Sequence, residues 1–160
     1  MKANKRDWYR IFVVMVTTGL RVSEATALQW SDVDFKNKTV RVTKGLVYSS
    51  HDKQDERGYR NYFVMHDSPK TDAGRRTIPL MPEAIEALRE IRKLYLATGK
   101  RCRQEVDGYN DFVFLNRFSK PYEQSQLNSA LRRIVRATTN RRRINRRQTG
   151  LLSQVFHAIP

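Results

Sequence analysis

The sequence predicts an α+β fold, mainly helical, with a small three-stranded antiparallel sheet. Apolar residues recur at helical spacing towards both ends of the chain, whereas its middle alternates apolar and polar residues with period two. The order is helix, helix, three strands, helix, helix, with no internal repeat, and that order suits helices packed around a small sheet. At 160 residues the chain is long enough for one domain with its own core. The expected organisation is a folded domain over 1–140 followed by a basic tail over 141–160.

Asp7 to Thr17 is apolar on nearly every side and reads as a buried helix, broken by Thr18-Gly19. A second helix is expected from Val22 to Leu28, with Ser23 and Glu24 in its first turn, where they suit the helix dipole. Trp30 to Phe35 reads as a turn into a strand, and Lys36-Asn37-Lys38 as a hairpin tip. Thr39 to Lys44 alternates as a strand does. Ser49 to Gly58 is polar and reads as a loop. Tyr59 to His66 and Arg76 to Leu80 are the second and third strands, joined by a tight connection over Pro69 to Gly74. Pro82 to Ala97 is a helix with proline at its start and Gly99 at its exit; Ile85, Leu88, Ile91 and Tyr95 form its apolar face. Asp111 to Leu115 is a short extended segment. Tyr122 to Thr138 is an amphipathic helix with Leu127, Leu131, Ile134 and Val135 on its apolar side.

Lys and Arg number 31 against 16 Asp and Glu, a net charge of +15 with a pI near 10.4. That balance favours a polyanionic partner, most simply nucleic acid. The single cysteine, Cys102, excludes an intramolecular disulfide and a cysteine-based zinc cluster, and a reduced, cytoplasmic setting fits it. No metal and no cofactor is expected. The apolar run Ile11 to Val16 follows Lys2, Lys5 and Arg6 as in a signal peptide, but it is short and Arg21 follows almost at once. No segment is long enough to span a membrane.

The most informative stretch is Thr18-Gly19-Leu20-Arg21-Val22-Ser23-Glu24, continuing to Leu28-Gln29-Trp30. It places a permanent cation, Arg21, beside the backbone N–H groups of a helix start, which suits a phosphate oxygen. The pattern T-G-L-R-x-S-E-x-x-x-L-x-W resembles the first catalytic box of tyrosine-type recombinases, the integrases of phages and transposons. A second stretch, Pro69-Lys70-Thr71 through Gly74-Arg75-Arg76-Thr77-Ile78-Pro79-Leu80, resembles the β-hairpin of the conjugative-transposon branch of that family. Asp107-Gly108-Tyr109 and Phe112 to Arg117 are similar to the same branch and carry no evident chemistry.

The resemblance implies a DNA-cleaving domain in which Arg21 clamps the scissile phosphate and Lys70 protonates the leaving 5′-oxygen. Glu24 would brace Arg21 or the helix, and Arg75 and Arg76 would contact the DNA backbone. Arg132, Arg133, Arg136, Arg141, Arg142, Arg143, Arg146 and Arg147 form the densest basic stretch. They read equally as a solvated tail and as a salt-sensitive contact to DNA phosphates.

The family also uses a second arginine, in a box of the form H-x-L-R-H, and a tyrosine nucleophile beyond it. Within these 160 residues His157 is followed by Ala158-Ile159-Pro160, and the last tyrosine is Tyr122. Read from the third base of the Val155 codon, the codons permitted for Val155 to Pro160 allow Phe-Ser-Cys-His-Thr, the family's sequence ahead of that box. The expectation is a frameshift just before the histidine, or a sequencing error there, which resequencing of the locus would refute if the codons used do not spell that pentapeptide. The chain then reads as a truncated integrase catalytic domain that binds DNA and does not recombine it alone. Apolar surface left on the Val22–Leu28 and Tyr122–Thr138 helices is expected to favour self-association or contact with recombinase protomers. Two rivals follow from the same residues: a non-enzymatic DNA-binding regulator on a recombinase scaffold, and a basic RNA-binding protein.

Overall fold

A computed structural model describes residues 5–50, 61–67 and 75–136. The chain divides into two compact units, Met1–Gln124 and Ser125–Pro160. The first contains α1 (Lys5–Thr18), α2 (Val22–Ala27), a 3-10 turn (Trp30–Asp32), β1 (Val33–Asp34), β2 (Thr39–Val42), β3 (Lys44–Ser50), β4 (Asn61–Asp67), β5 (Arg76–Pro79) and α3 (Pro82–Thr98). A fourth helix, α4, covers 124–136 and lies almost wholly in the second unit. The expected α+β class stands. The expected boundary between 140 and 141 falls outside the described residues.

The strands sort differently from the expectation. The three-stranded sheet has the order β1-β2-β5, all antiparallel, with Val40 opposite both Val33 and Ile78. The segment expected as the second strand, now β4, instead pairs with β3 in a separate two-stranded sheet, from Lys44↔Asp67 to Ser50↔Asn61. The loop expected from Ser49 therefore begins inside a strand. Leu46, Val47 and Tyr48 are good strand formers, and they pair because Leu46 and Phe63 bury one face of the hairpin. With Ala27, Val106, Phe112 and Leu115 these two residues form a core cluster, so the end of α2 and the hairpin share one apolar interior.

Local chemistry fixes the tips. Asp34 accepts from the backbone N–H groups of Lys36 and Asn37, both at 2.9 Å, and Lys38 takes φ +55°, closing the expected β1–β2 hairpin. Helix α3 starts at Pro82 and stops at Gly99, whose φ of +65° is the left-handed cap. Ile85, Leu88 and Ile91 are buried along it, as expected.

Two helices expected to be apolar-faced are less covered than predicted. In α1, Ile11 and Val14 are buried but Tyr9 and Val16 are exposed, so the helix has one buried face rather than being enclosed. In α4, Leu127 and Ala130 are buried, whereas Leu131, Ile134 and Val135 are exposed. The apolar surface expected on Val22–Leu28 is not free: Ala25, Ala27 and Leu28 are all buried. Among the described residues no helix is long and apolar enough to cross a membrane.

Candidate nucleic-acid interface

The Thr18–Arg21 turn is built by one backbone requirement. Gly19 ends α1 with φ +66°, a conformation in which a side chain is strained, and its N–H donates to the Met15 carbonyl at 2.9 Å. Thr18 stays helical, its hydroxyl donating to the Val14 carbonyl at 2.6 Å. Leu20 then drops into the core at 5% exposure, while Arg21, in extended backbone, turns out to solvent. Glycine, a buried apolar anchor and an exposed cation thus occupy three consecutive positions. They present Arg21 at the first turn of α2, where its own carbonyl accepts the Ala25 N–H at 2.9 Å.

Glu24 closes that turn. Its Oε2 accepts the Arg21 backbone N–H at 2.9 Å, satisfying a donor that the helix leaves unpaired. The same carboxylate receives a two-pronged contact from Arg76 on β5: Nη1 to Oε1 at 2.9 Å and Nη2 to Oε2 at 2.8 Å. The Glu24 side chain is only 3% exposed, that of Arg76 34%. Burial pushes the Glu24 carboxyl up. The Arg76 hydrogen bonds, the Arg21 N–H and the charges of both arginines outweigh it and hold the group below its ordinary value. Glu24 is therefore a buried carboxylate bound at both oxygens, an arrangement that suits its expected bracing role. Among the described residues no hydrogen bond or ion pair engages the Arg21 guanidinium.

The far end of the box is tied down separately. Trp30 N–H donates to the Asp111 carbonyl at 2.9 Å and Val113 N–H to the Leu28 carbonyl at 2.8 Å, bridging the box to the 111–115 segment. Lys44 at the start of β3 donates to Gln29 Oε1 at 2.6 Å and lies 4.2 Å from the centre of the Tyr109 ring. Gly45 runs against Ser23, where an added Cβ would sit 3.5 Å from the Ser23 side chain. Asp107-Gly108-Tyr109 and 112–115 thus act as supports for α2 and its hairpin, the structural part expected of them.

The other sequence candidates divide in three. Arg75 is exposed at the bend before β5. Arg76, expected on the DNA backbone, makes a two-pronged contact with Glu24, 52 residues away in sequence. Arg132, Arg133 and Arg136 are exposed on α4. Lys70, Arg141, Arg142, Arg143, Arg146 and Arg147 lie outside the described residues. Among the described residues no group of three or more His, Cys, Asp or Glu is placed to hold a metal ion. The Glu24–Arg76 pairing is what sequence reasoning missed. A glutamate three residues into a helix is fully explained by capping, so nothing local signalled a distant second partner.

Residues 2–148 match the phage integrase family. The chain belongs to the phage integrase family. It is 34% identical over 129 residues to the transposase from transposon Tn916 of Enterococcus faecalis, covering 80% of this chain and 28% of that protein. It is 31% identical over 154 residues to a XerC-like tyrosine recombinase of Caldanaerobacter subterraneus, covering 93% and 35%. The Tn1549 transposon integrase in complex with transposon right end DNA matches at 27% identity with a TM-score of 0.59, over 76% of this chain and 35% of that one. The same integrase with circular intermediate DNA matches at 23% identity with a TM-score of 0.65, which supports the fold alone. The chain spans about a third of the length of these relatives.

Proposed function

We propose that this chain is the portion of a mobile-element integrase that receives the scissile phosphate of duplex DNA. One observation carries this reading: an exposed arginine without a side-chain partner among the described residues, at a helix start whose Glu24 carboxylate is already bound by Arg76. A guanidinium fork held there matches two phosphate oxygens. The similarity to an integrase described in complex with transposon DNA supports the same partner. Lys70 lies three residues beyond β4 and six before Arg76, and we assign it the general-acid role on the leaving oxygen. Arg75 and the exposed arginines of α4 add sequence-independent backbone contacts. The setting is the cytoplasm, with DNA as partner and neither metal nor cofactor in the chemistry.

The 160 residues contain no H-x-L-R-H box and no tyrosine after Tyr122. Arg21 and Lys70 therefore offer part of the charge stabilisation that strand transfer needs. The test is duplex-DNA affinity of the purified chain over a salt series. The expected result is steeply salt-dependent binding, with Arg21→Ala lowering the slope of log affinity against log salt by about one. Salt-independent binding, or a slope unmoved by Arg21→Ala, would remove Arg21 from the phosphate. A covalent protein–DNA adduct formed by this chain alone would overturn the prediction that it does not cleave.

A further inference from the structure

We propose that Arg76 is a positioning residue, which occupies Glu24 so that the guanidinium of Arg21 stays available to the DNA phosphate. This rests on the reading of Arg21 as the phosphate ligand. Both oxygens of Glu24 are taken by the two terminal nitrogens of Arg76, at 2.9 and 2.8 Å. The carboxylate is buried, so water does not screen it, and it must keep a cationic partner or lose its charge. Arg21 is the alternative cation. Its backbone N–H already binds Glu24 Oε2, its charge already acts on that carboxylate, and residues three apart at a helix start lie within side-chain reach.

Without Arg76, the Arg21 side chain folds back onto Glu24, and that carboxylate competes with the phosphate for it. With Arg76 in place the competition is settled in advance, because a planar fork on a carboxylate makes two parallel bonds at once. The Arg21 guanidinium is thereby left available by a second cation drawn from a strand 52 residues later. Arg76 commits both terminal nitrogens to Glu24 although its side chain is partly exposed, which separates it from the neighbouring exposed Arg75.

A mutant cycle on duplex-DNA binding tests this. Arg76→Ala is expected to weaken binding about as much as Arg21→Ala, on the order of tenfold, and to lower the salt slope by about one. The double variant Arg21→Ala with Arg76→Ala is expected to bind no worse than Arg21→Ala alone, since both act through one group. Adding Glu24→Gln to Arg76→Ala is expected to recover most of the lost affinity and slope, because the neutral amide no longer captures Arg21. Additive losses, or no recovery with Glu24→Gln, would overturn the proposal and leave Arg76 as a direct phosphate contact. No loss in Arg21→Ala would overturn this inference together with the proposed function, whereas additive losses overturn the inference alone. Should Arg76→Ala melt below the assay temperature, Arg76→Lys replaces it. A lysine keeps the charge and loses the fork, so affinity is expected to fall about threefold; unchanged affinity and slope would overturn the positioning role.

Discussion

Helices α2 and α4 are both expected to leave apolar surface uncovered, and they have opposite fates in the fold. α2 is six residues long, too short to persist alone, yet Glu24, Ala25, Thr26 and Ala27 are all buried. It is held by a glycine cap before it, a carboxylate within it and a hairpin beside it. The Thr26 hydroxyl donates to its own helix at Ser23 and lies 3.4 Å from the Leu46 carbonyl of β3. α4 is about twice as long, contains no carboxylate and leaves Leu131, Ile134 and Val135 in solvent. The helix that presents the candidate phosphate ligand is therefore fixed by tertiary contacts. The one that carries Arg132, Arg133 and Arg136 has a single buried edge, at Leu127 and Ala130. Tertiary contacts thus surround the helix that begins at Arg21, whereas the exposed arginines of α4 stand on a helix with far less of its surface covered.

The largest effect that would sharpen this contrast is expected at Leu46, which is 1% exposed within the core cluster that includes Ala27. Leu46→Ala is expected to destabilise the chain by about 2–5 kcal/mol in urea unfolding. A loss as small as that of an exposed leucine would mean that the hairpin does not hold α2. Next is Gly19→Ala. With φ at +66° and open space around the position, its cost is backbone strain of about 1–2 kcal/mol, with DNA affinity falling as the turn before Arg21 relaxes.

A smaller effect is expected in the acid limb of thermal stability. The Glu24 carboxyl titrates below its ordinary value of 4.5 in the fold, so its contribution is fully present above that value and is lost as pH falls through it. The difference in melting temperature between the wild type and Glu24→Gln should narrow as the pH drops below 4.5. A difference that stays constant would mean that Glu24 is not ionised in the fold. The smallest effect belongs to α4: Leu131→Gln, at 47% exposure, should change stability by no more than about 0.5 kcal/mol. A larger cost, especially one that grows with protein concentration, would show that this face is covered by another molecule.

Much of the local structure was legible before any fold was available. Proline at 82 and glycine at 99 bracket α3, Asp34 and Lys36–Lys38 make the hairpin tip, and Gly19-Leu20-Arg21 forms the turn that displays a cation. Other features were not legible. Leu46 to Tyr48 is short, and its pairing with 63–65 depends on which strand the core selects. Tyr9 and Val16 look like core residues until the single buried face of α1 is seen. Arg75 and Arg76 are adjacent and chemically identical, yet one is exposed and the other is bound to a carboxylate.

The sequence by itself determined the family, the positive charge and the box that carries Arg21, because composition, turn residues and short patterns act over a few bonds. Only the tertiary structure decided that β3 and β4 leave the main sheet and that Arg76 belongs to Glu24. Those outcomes depend on which surfaces meet when apolar residues far apart in sequence are buried together, and a buried carboxylate takes whichever cation the packing brings to it.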